Sequence, residues 1–171
     1  MAQTFLTIIS GVKKLAAAIT TTAGAADAGK IPALDGTGKL DNSFMPTGIG
    51  AETKSVIASE SLSAGDFVNI YNNAGTATAR KADATTAGKE ATGFVLSAVA
   101  SGSTATVYMA GINTILTGLT AGGRYVLSTT AGSVVVRASA PASTGNVFQE
   151  IGVALSATEI AFEPGEPVVY L

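Results

Sequence analysis

Apolar positions in the first twenty-two residues recur at helical spacing. Phe5, Ile8, Ile9, Val12, Leu15, Ala16 and Ile19 follow the i, i+3, i+4, i+7 rule of an amphipathic helix. Thr4 stands where an N-cap belongs, and the β-branched run Thr20-Thr21-Thr22 where the helix would end. The pattern predicts a short N-terminal amphipathic helix within residues 1–22. Such a helix is marginal alone in water, so its apolar stripe requires a partner. The same stretch has a competing reading as a secretory signal, with Ala23-Gly24-Ala25 as the cleavage site. Against it, Lys13 and Lys14 lie inside the apolar run, whereas a signal places its positive charges ahead of it.

From Ala23 to Lys54 the periodicity stops. Gly, Pro, Asp and Asn recur too often for a helix or strand to run far. Isolated apolar residues punctuate the stretch: Ile31, Leu34, Leu40, Phe44, Met45 and Ile49. A disordered linker has no use for them, whereas a docking arm can drop each into a pocket on a neighbouring molecule. Residues 23–54 are therefore expected to form an extended docking arm, reaching ~105 Å at about 3.3 Å per residue.

In residues 55–171 the pattern turns to short β-rich runs. They fall at 66–72, 92–100, 104–109, 124–128, 133–137, 147–155 and 158–163, divided by turn signals such as Asn73-Ala74-Gly75 and Thr130-Ala131-Gly132. Seven or more short strands without long helices predict a mainly β fold, an antiparallel β-sandwich or a small β-barrel. The run also repeats internally, 62–110 against 119–163. Leu62-Ser63-Ala64-Gly65 returns as Leu119-Thr120-Ala121-Gly122, Arg80 as Arg137, and Gly93 with Leu96-Ser97-Ala98 as Gly152 with Leu155-Ser156-Ala157. Each half would be a hairpin followed by a third strand, and two halves would close one core.

Composition narrows the chemistry. The chain has no Cys, His or Trp, and 31 Ala, 20 Gly, 14 Ser and 22 Thr make up about half of its 171 residues. That removes disulfides, thiolate catalysis, Cys or His metal sites and the Ser-His and Cys-His pairs. An enzyme is not expected, nor a metal or cofactor. Only 13% of residues are charged, against about 25% in an average domain, and mean hydropathy is +0.41. No run of 18 apolar residues spans a membrane, and no basic cluster suits nucleic acid. A weakly charged, apolar chain of this kind hides surface in an assembly. Residues 141–171 carry Glu150, Glu159, Glu163 and Glu166 with no Lys or Arg, an acidic rim for solvent or a partner.

Individual motifs reduce to structural readings. Asp35-Gly36-Thr37-Gly38-Lys39-Leu40-Asp41 lacks the alternating oxygen ligands of a calcium loop and reads as two Asp-shaped turns. Gly48-Ile49-Gly50 has no following Gly-Lys-Ser/Thr and is no phosphate cradle. Glu163 and Glu166 are separated by Pro164 and Gly165, which suits a solvated turn better than a glycosidase acid pair. Arg80, Lys81 and Arg137 are candidates for pairing with a neighbour's acids. Tyr71, Tyr108, Tyr125 and Tyr170 are candidates for a sugar-binding face.

One stretch carries a family likeness. At Gly29-Lys30-Ile31-Pro32-Ala33-Leu34-Asp35, Gly38-Lys39-Leu40-Asp41 and Phe44-Met45-Pro46 the chain resembles the N-terminal segments of tailed-bacteriophage virion proteins. Leu62-Ser63-Ala64-Gly65-Asp66-Phe67-Val68, Arg80-Lys81-Ala82-Asp83-Ala84, Gly93-Phe94-Val95 and Gly152-Val153-Ala154-Leu155-Ser156 extend the likeness over most of residues 23–160. The family is that of head decoration, or capsid cement, proteins. The resemblance implies a protein without catalytic residues on the outer surface of the virion capsid. Its partners would be the major capsid protein and itself, as a homotrimer or homodimer with the trimer favoured. Phe5, Ile8, Ile9, Val12, Leu15 and the arm residues Ile31, Leu34, Leu40, Phe44, Met45 and Ile49 would make those contacts. The alternative is a head- or tail-fibre adhesin module binding host-surface glycan, because similar phrases occur in fibres.

Overall fold

Where the spacing of residues 5–19 predicts a helix, residues 4–17 form a β-hairpin. β1 (Thr4–Ile9) pairs antiparallel with β2 (Val12–Ala17), Leu6 opposite Leu15 and Ile8 opposite Lys13. The computed structural model describes residues 4–45 and 51–171, without the side chain of Ile9, and the chain divides into two units, Met1–Gly50 and Ala51–Leu171. The correction to the expected helix lies in Ser10-Gly11. Both residues have positive φ, 54° and 77°, the type I′ arrangement whose twist matches a two-residue hairpin. In a helix Gly11 would cost about 1 kcal/mol, with further small losses from β-branched Thr7, Ile8 and Val12, the residues a strand favours.

After the hairpin the chain doubles back, so it is not extended over this part of the expected arm. Ile19 N donates to Ile31 O at 3.0 Å and Ala33 N to Ile19 O at 2.8 Å, a parallel bridge across Pro32. Two single-turn 3-10 helices follow, at Gly24–Asp27 and Asn42–Phe44.

The second unit starts before residue 55. β3 (Thr53–Ala58) is a full strand of it, and residues 51–54 belong to this unit instead of the arm. β3 joins β4 (Phe67–Asn73), β5 (Thr76–Lys81), β6 (Gly93–Phe94) and β7 (Thr104–Tyr108) in a closed barrel ordered β3-β5-β4-β6-β7. Five strands cannot alternate direction all the way round, so one neighbouring pair must be parallel. That pair is β3 with β5, Ile57 beside Thr78 and Ala58 beside Ala79, so of the two expected architectures this part of the chain is the small barrel, with one parallel seam. The narrow lumen is filled by small and β-branched side chains: Val56, Ala58, Val68, Ala79, Val95, Ala105 and Val107. The Ala- and Val-rich composition is what so small a barrel can hold.

The remaining strands are β8 (Gly111–Asn113), β9 (Arg124–Leu127), β10 (Val134–Val136), β11 (Val147–Phe148), β12 (Glu150–Ala154), β13 (Ile160–Phe162) and β14 (Val168–Val169). Five of them form a sheet ordered β10-β9-β12-β13-β8, and β11 pairs with β14. This order matches β5-β4-β6-β7-β3 of the barrel strand for strand. The sheet differs in remaining open, with no β8–β10 pairing among the described residues. Alternation along the barrel strands sends Phe67 and Phe94 outward, where they meet Phe162 of the sheet at ring distances of 5.8 and 5.6 Å. Tyr125, Leu127, Ile151 and Ile160 complete this second core. Each such side chain contributes about 1.5–3 kcal/mol on burial. Gln149 secures the joint with two bonds, accepting from Ala91 N at 2.8 Å and donating to Ala91 O at 3.0 Å.

Candidate interaction surface

The sequence leads to exposed apolar side chains as the groups of interest, and the first unit carries many of them. On the hairpin, Leu6, Ile8, Val12 and Leu15 are 63%, 66%, 56% and 73% exposed. Directly opposed residues of an antiparallel pair share a face, so Leu6, Ile8 and Leu15 lie together. The helical reading omitted Leu6. The signal that finds it is the Ser10-Gly11 turn, because folding the chain there sets Leu6 opposite Leu15. Phe5 is half-buried, opposite Ala16.

Farther along, Ile31, Leu34, Leu40 and Met45 are all exposed, and Phe44 is half-buried. Ile49 lies outside the described residues, as does the side chain of Ile9. These anchors are spaced along turns instead of one extended strand. Three aspartates hold the turns. Asp35 Oδ1 accepts from Thr37 N at 2.8 Å, Thr37 Oγ1 at 2.7 Å and Lys39 N at 3.0 Å. Asp41 Oδ1 accepts from Ser43 N at 2.9 Å, and Asp27 from Ala23 N at 2.6 Å and Lys30 Nζ at 2.5 Å. Asp35 thus spends one carboxylate oxygen on closing its own turn, as the Asp-shaped turn reading expects.

The same bonds set an acid response. The Lys39 amide lowers the pKa of Asp35, the Ser43 hydroxyl that of Asp41, and the Ala23 amide that of Asp27. A carboxylate whose pKa is lowered in the folded chain stabilises it above its ordinary value near 3.8, and this is lost as pH falls through the lowered value. In an acid titration the Thr37, Lys39 and Ser43 amide resonances are expected to move below about pH 4, ahead of those in β9. Unmoved Thr37 and Lys39 amides would show that the carboxylate does not hold the turn.

In the second unit the candidate polar residues are engaged within the chain. Lys81 pairs with Asp66 at 3.2 Å and Arg137 with Glu150 at 2.6 Å. Arg80 bonds Asn69 Oδ1 at 3.0 Å and Gly88 O at 2.6 Å while lying over the Tyr71 ring at 4.3 Å. Tyr108 stacks on Phe94 at 5.5 Å, and Tyr125 is buried, its hydroxyl accepting from Thr120 N at 2.9 Å. Two of the four tyrosines are thereby committed to packing. The acidic rim is different: Glu159, Glu163 and Glu166 have no ion-pair partner among the described residues. Among the same residues no group of three or more acidic side chains converges in a way that could hold a metal ion.

No protein-family model matches the chain, and no curated protein sequence matches it. Among solved structures it is similar to the head fiber gp8.5 N base of bacteriophage phi29. The two share 12% identity over 70% of this chain and 94% of that chain, with a TM-score of 0.46.

Proposed function

We propose that this chain is a structural virion protein that binds the outer surface of a phage capsid and cements neighbouring major capsid protein subunits, working as a homo-oligomer. The observation that carries the reading is the exposed apolar set of the first unit, Leu6, Ile8, Val12 and Leu15 with Ile31, Leu34, Leu40 and Met45. A concentration of large exposed apolar side chains on one segment is the mark of an interaction site. The sequence resemblance to head decoration proteins runs through the same segment. The second unit supplies a rigid β body with its own two cores, and many copies on one lattice add weak contacts into firm attachment.

The test is to mix purified protein with capsids and image the particles. Density at symmetry-related points over the capsid lattice is expected, and a version lacking residues 1–50 is expected to melt like the second unit of the whole chain yet leave capsids bare. Density confined to a tail tip or to isolated spikes would move the reading to host binding. Undiminished decoration by the truncated protein would end the role given to the first unit.

A further inference from the structure

The mismatch between the two sheets marks a second docking place. In the barrel, the six-residue β3 runs on past β7 to bond β5 and close the wall. Its counterpart β8 has three residues and stops at Asn113, whose buried amide donates to Gly65 O at 2.8 Å. Among the described residues β10 is therefore left without the neighbour that β5 has. An open groove of about 590 Å³ lies along it, lined by Val134, Val136, Ile115, Leu116 and Asp66 among others.

The free edge of β10 can be read from its bonding. In an antiparallel ladder alternate residues turn their backbone groups to opposite sides. Ser128 N bonds Ser133 O at 3.1 Å on the β10 side, whereas Leu127 N bonds Gln149 O at 3.0 Å on the β12 side. Val134 and Val136 stand opposite Leu127 and Tyr125, so their N–H and C=O groups face the groove. Val136 and Ile115 are exposed there at 42% and 44%. Asp66 already pairs with Lys81. The groove thus offers main-chain bonds and apolar contact to a strand that brings no charge.

We infer that the β10 seam receives β1 of a second copy of this chain, so that the hairpin adds to the open sheet. β1 carries no charge in Thr4–Ile9 and, among the described residues, is bonded on one side only, to β2. A two-stranded hairpin is marginal in water and gains from a third strand, and strand addition is a general docking mode. Charge selects between occupants. The hairpin carries Lys13 and Lys14 with no acid, while residues 51–171 carry nine acidic and six basic residues. Two hairpins would set Lys13 and Lys14 against each other, whereas the body, with three more acidic than basic residues, does not repel them. The side chains of Leu6 and Ile8 are exposed and bring apolar contact to the seam. A hairpin-to-seam contact is head-to-tail and closes into a small ring when the rotation permits.

The contact needs no capsid, so its test stands apart from the cement reading. Val136 has φ −57° and ψ 139°, values that proline adopts, and its N–H faces the groove. Val136→Pro removes an outward donor while keeping the β9 ladder. In sedimentation equilibrium the full chain is expected to show a concentration-dependent mass above 16.9 kDa. Val136→Pro is expected to move the association midpoint at least about tenfold, the equivalent of about 1.4 kcal/mol, with unchanged melting. Since the chain has no Cys, Leu6→Cys protein mixed with Val136→Cys protein is expected to give a covalent heterodimer on oxidation, a readout that survives if the proline variant fails to fold. A monomer at every concentration, association indifferent to Val136→Pro, or the absence of the mixed disulfide would each overturn the inference. So would a monomer whose hairpin amides lose protection in Val136→Pro, which would place β1 in its own seam. Association of the hairpin only when capsids are added would assign it to the capsid and overturn the inference equally.

Discussion

Gly152→Ala is expected to cost about 4 kcal/mol or more, the range reached only by severe core or backbone disruption, and to leave the chain unfolded or close to it. Gly152 lies in β12 at a register shift between Glu150 and Gly152 where β12 meets β9. Its φ is +151°, and an added Cβ would sit 1.8 Å from Ala161 O and 3.0 Å from the carbonyl carbon. Neither atom can retreat cheaply, because Ala161 is held in β13 opposite Val153 on one side and Ile112 on the other. Gly122→Ala is the control. Its φ is +77° and nothing lies within 4 Å of a Cβ, so only the left-handed backbone is penalised, by about 1–2 kcal/mol. With no Trp in the chain, urea unfolding followed by far-ultraviolet circular dichroism separates the two. Equal losses would mean that β12 and β13 do not approach as described.

The sequence match of Gly93 with Gly152 has a physical source in this crowding. At Gly93, in β6, a Cβ would meet Val107 Cγ1 at 2.5 Å and Tyr108 O at 2.6 Å. Both glycines stand where a short strand presses on the strand after it in sheet order, β6 on β7 and β12 on β13. Two glycines at a fixed spacing in a chain rich in glycine are weak signals alone. The matching strand order gives them a reason.

Much of the second unit was legible because its strands alternate cleanly. In β7 the buried Ala105 and Val107 are separated by exposed Thr106, and in β13 the buried Ile160 and Phe162 flank Ala161. β3 was missed because its first three residues, Thr53, Lys54 and Ser55, are exposed and only Val56 and Ala58 point inward. β8 and β14 are too short for any period to show. The first unit failed for the opposite reason. From Phe5 to Leu15 the large apolar residues Phe5, Ile8, Ile9, Val12 and Leu15 are placed so that a helical stripe runs through them, and the residues that decide for a hairpin are Ser10 and Gly11. Barrel closure was beyond reach, since it depends on β3 meeting β5 from a distance and not on either strand's own pattern. For the surface, Ile31, Leu34, Leu40 and Met45 are exposed because large apolar residues isolated among Gly, Asp and Pro have no local core to enter, whereas Ile8, Val12 and Leu15, read as one helical stripe, are exposed on a hairpin instead.

Those arm residues carry the largest expected effect on binding. Replacing Ile31, Leu34, Leu40 and Met45 together by Ser is expected to weaken capsid attachment about a thousandfold per site. Each is 38–55% exposed, so about half of the 1.5–3 kcal/mol available from full burial is still to be gained on docking. Four such side chains amount to about 4 kcal/mol, and every 1.4 kcal/mol is tenfold in affinity. The second unit, whose two cores lie wholly in residues 56–162, is expected to melt as before, because a change confined to exposed residues of the first unit removes nothing from those cores. Attachment is measured by co-sedimentation of the protein with capsids over a concentration series, and stability by thermal unfolding of the same preparations. A lattice with many sites hides a per-site loss behind avidity, so the series must reach occupancies low enough for copies to bind alone. If binding is unchanged while the variant stays folded, the capsid is held by the body, and the exposed arm serves another partner. If melting falls by several degrees instead, the four side chains belong to packing of the fold and not to a free surface.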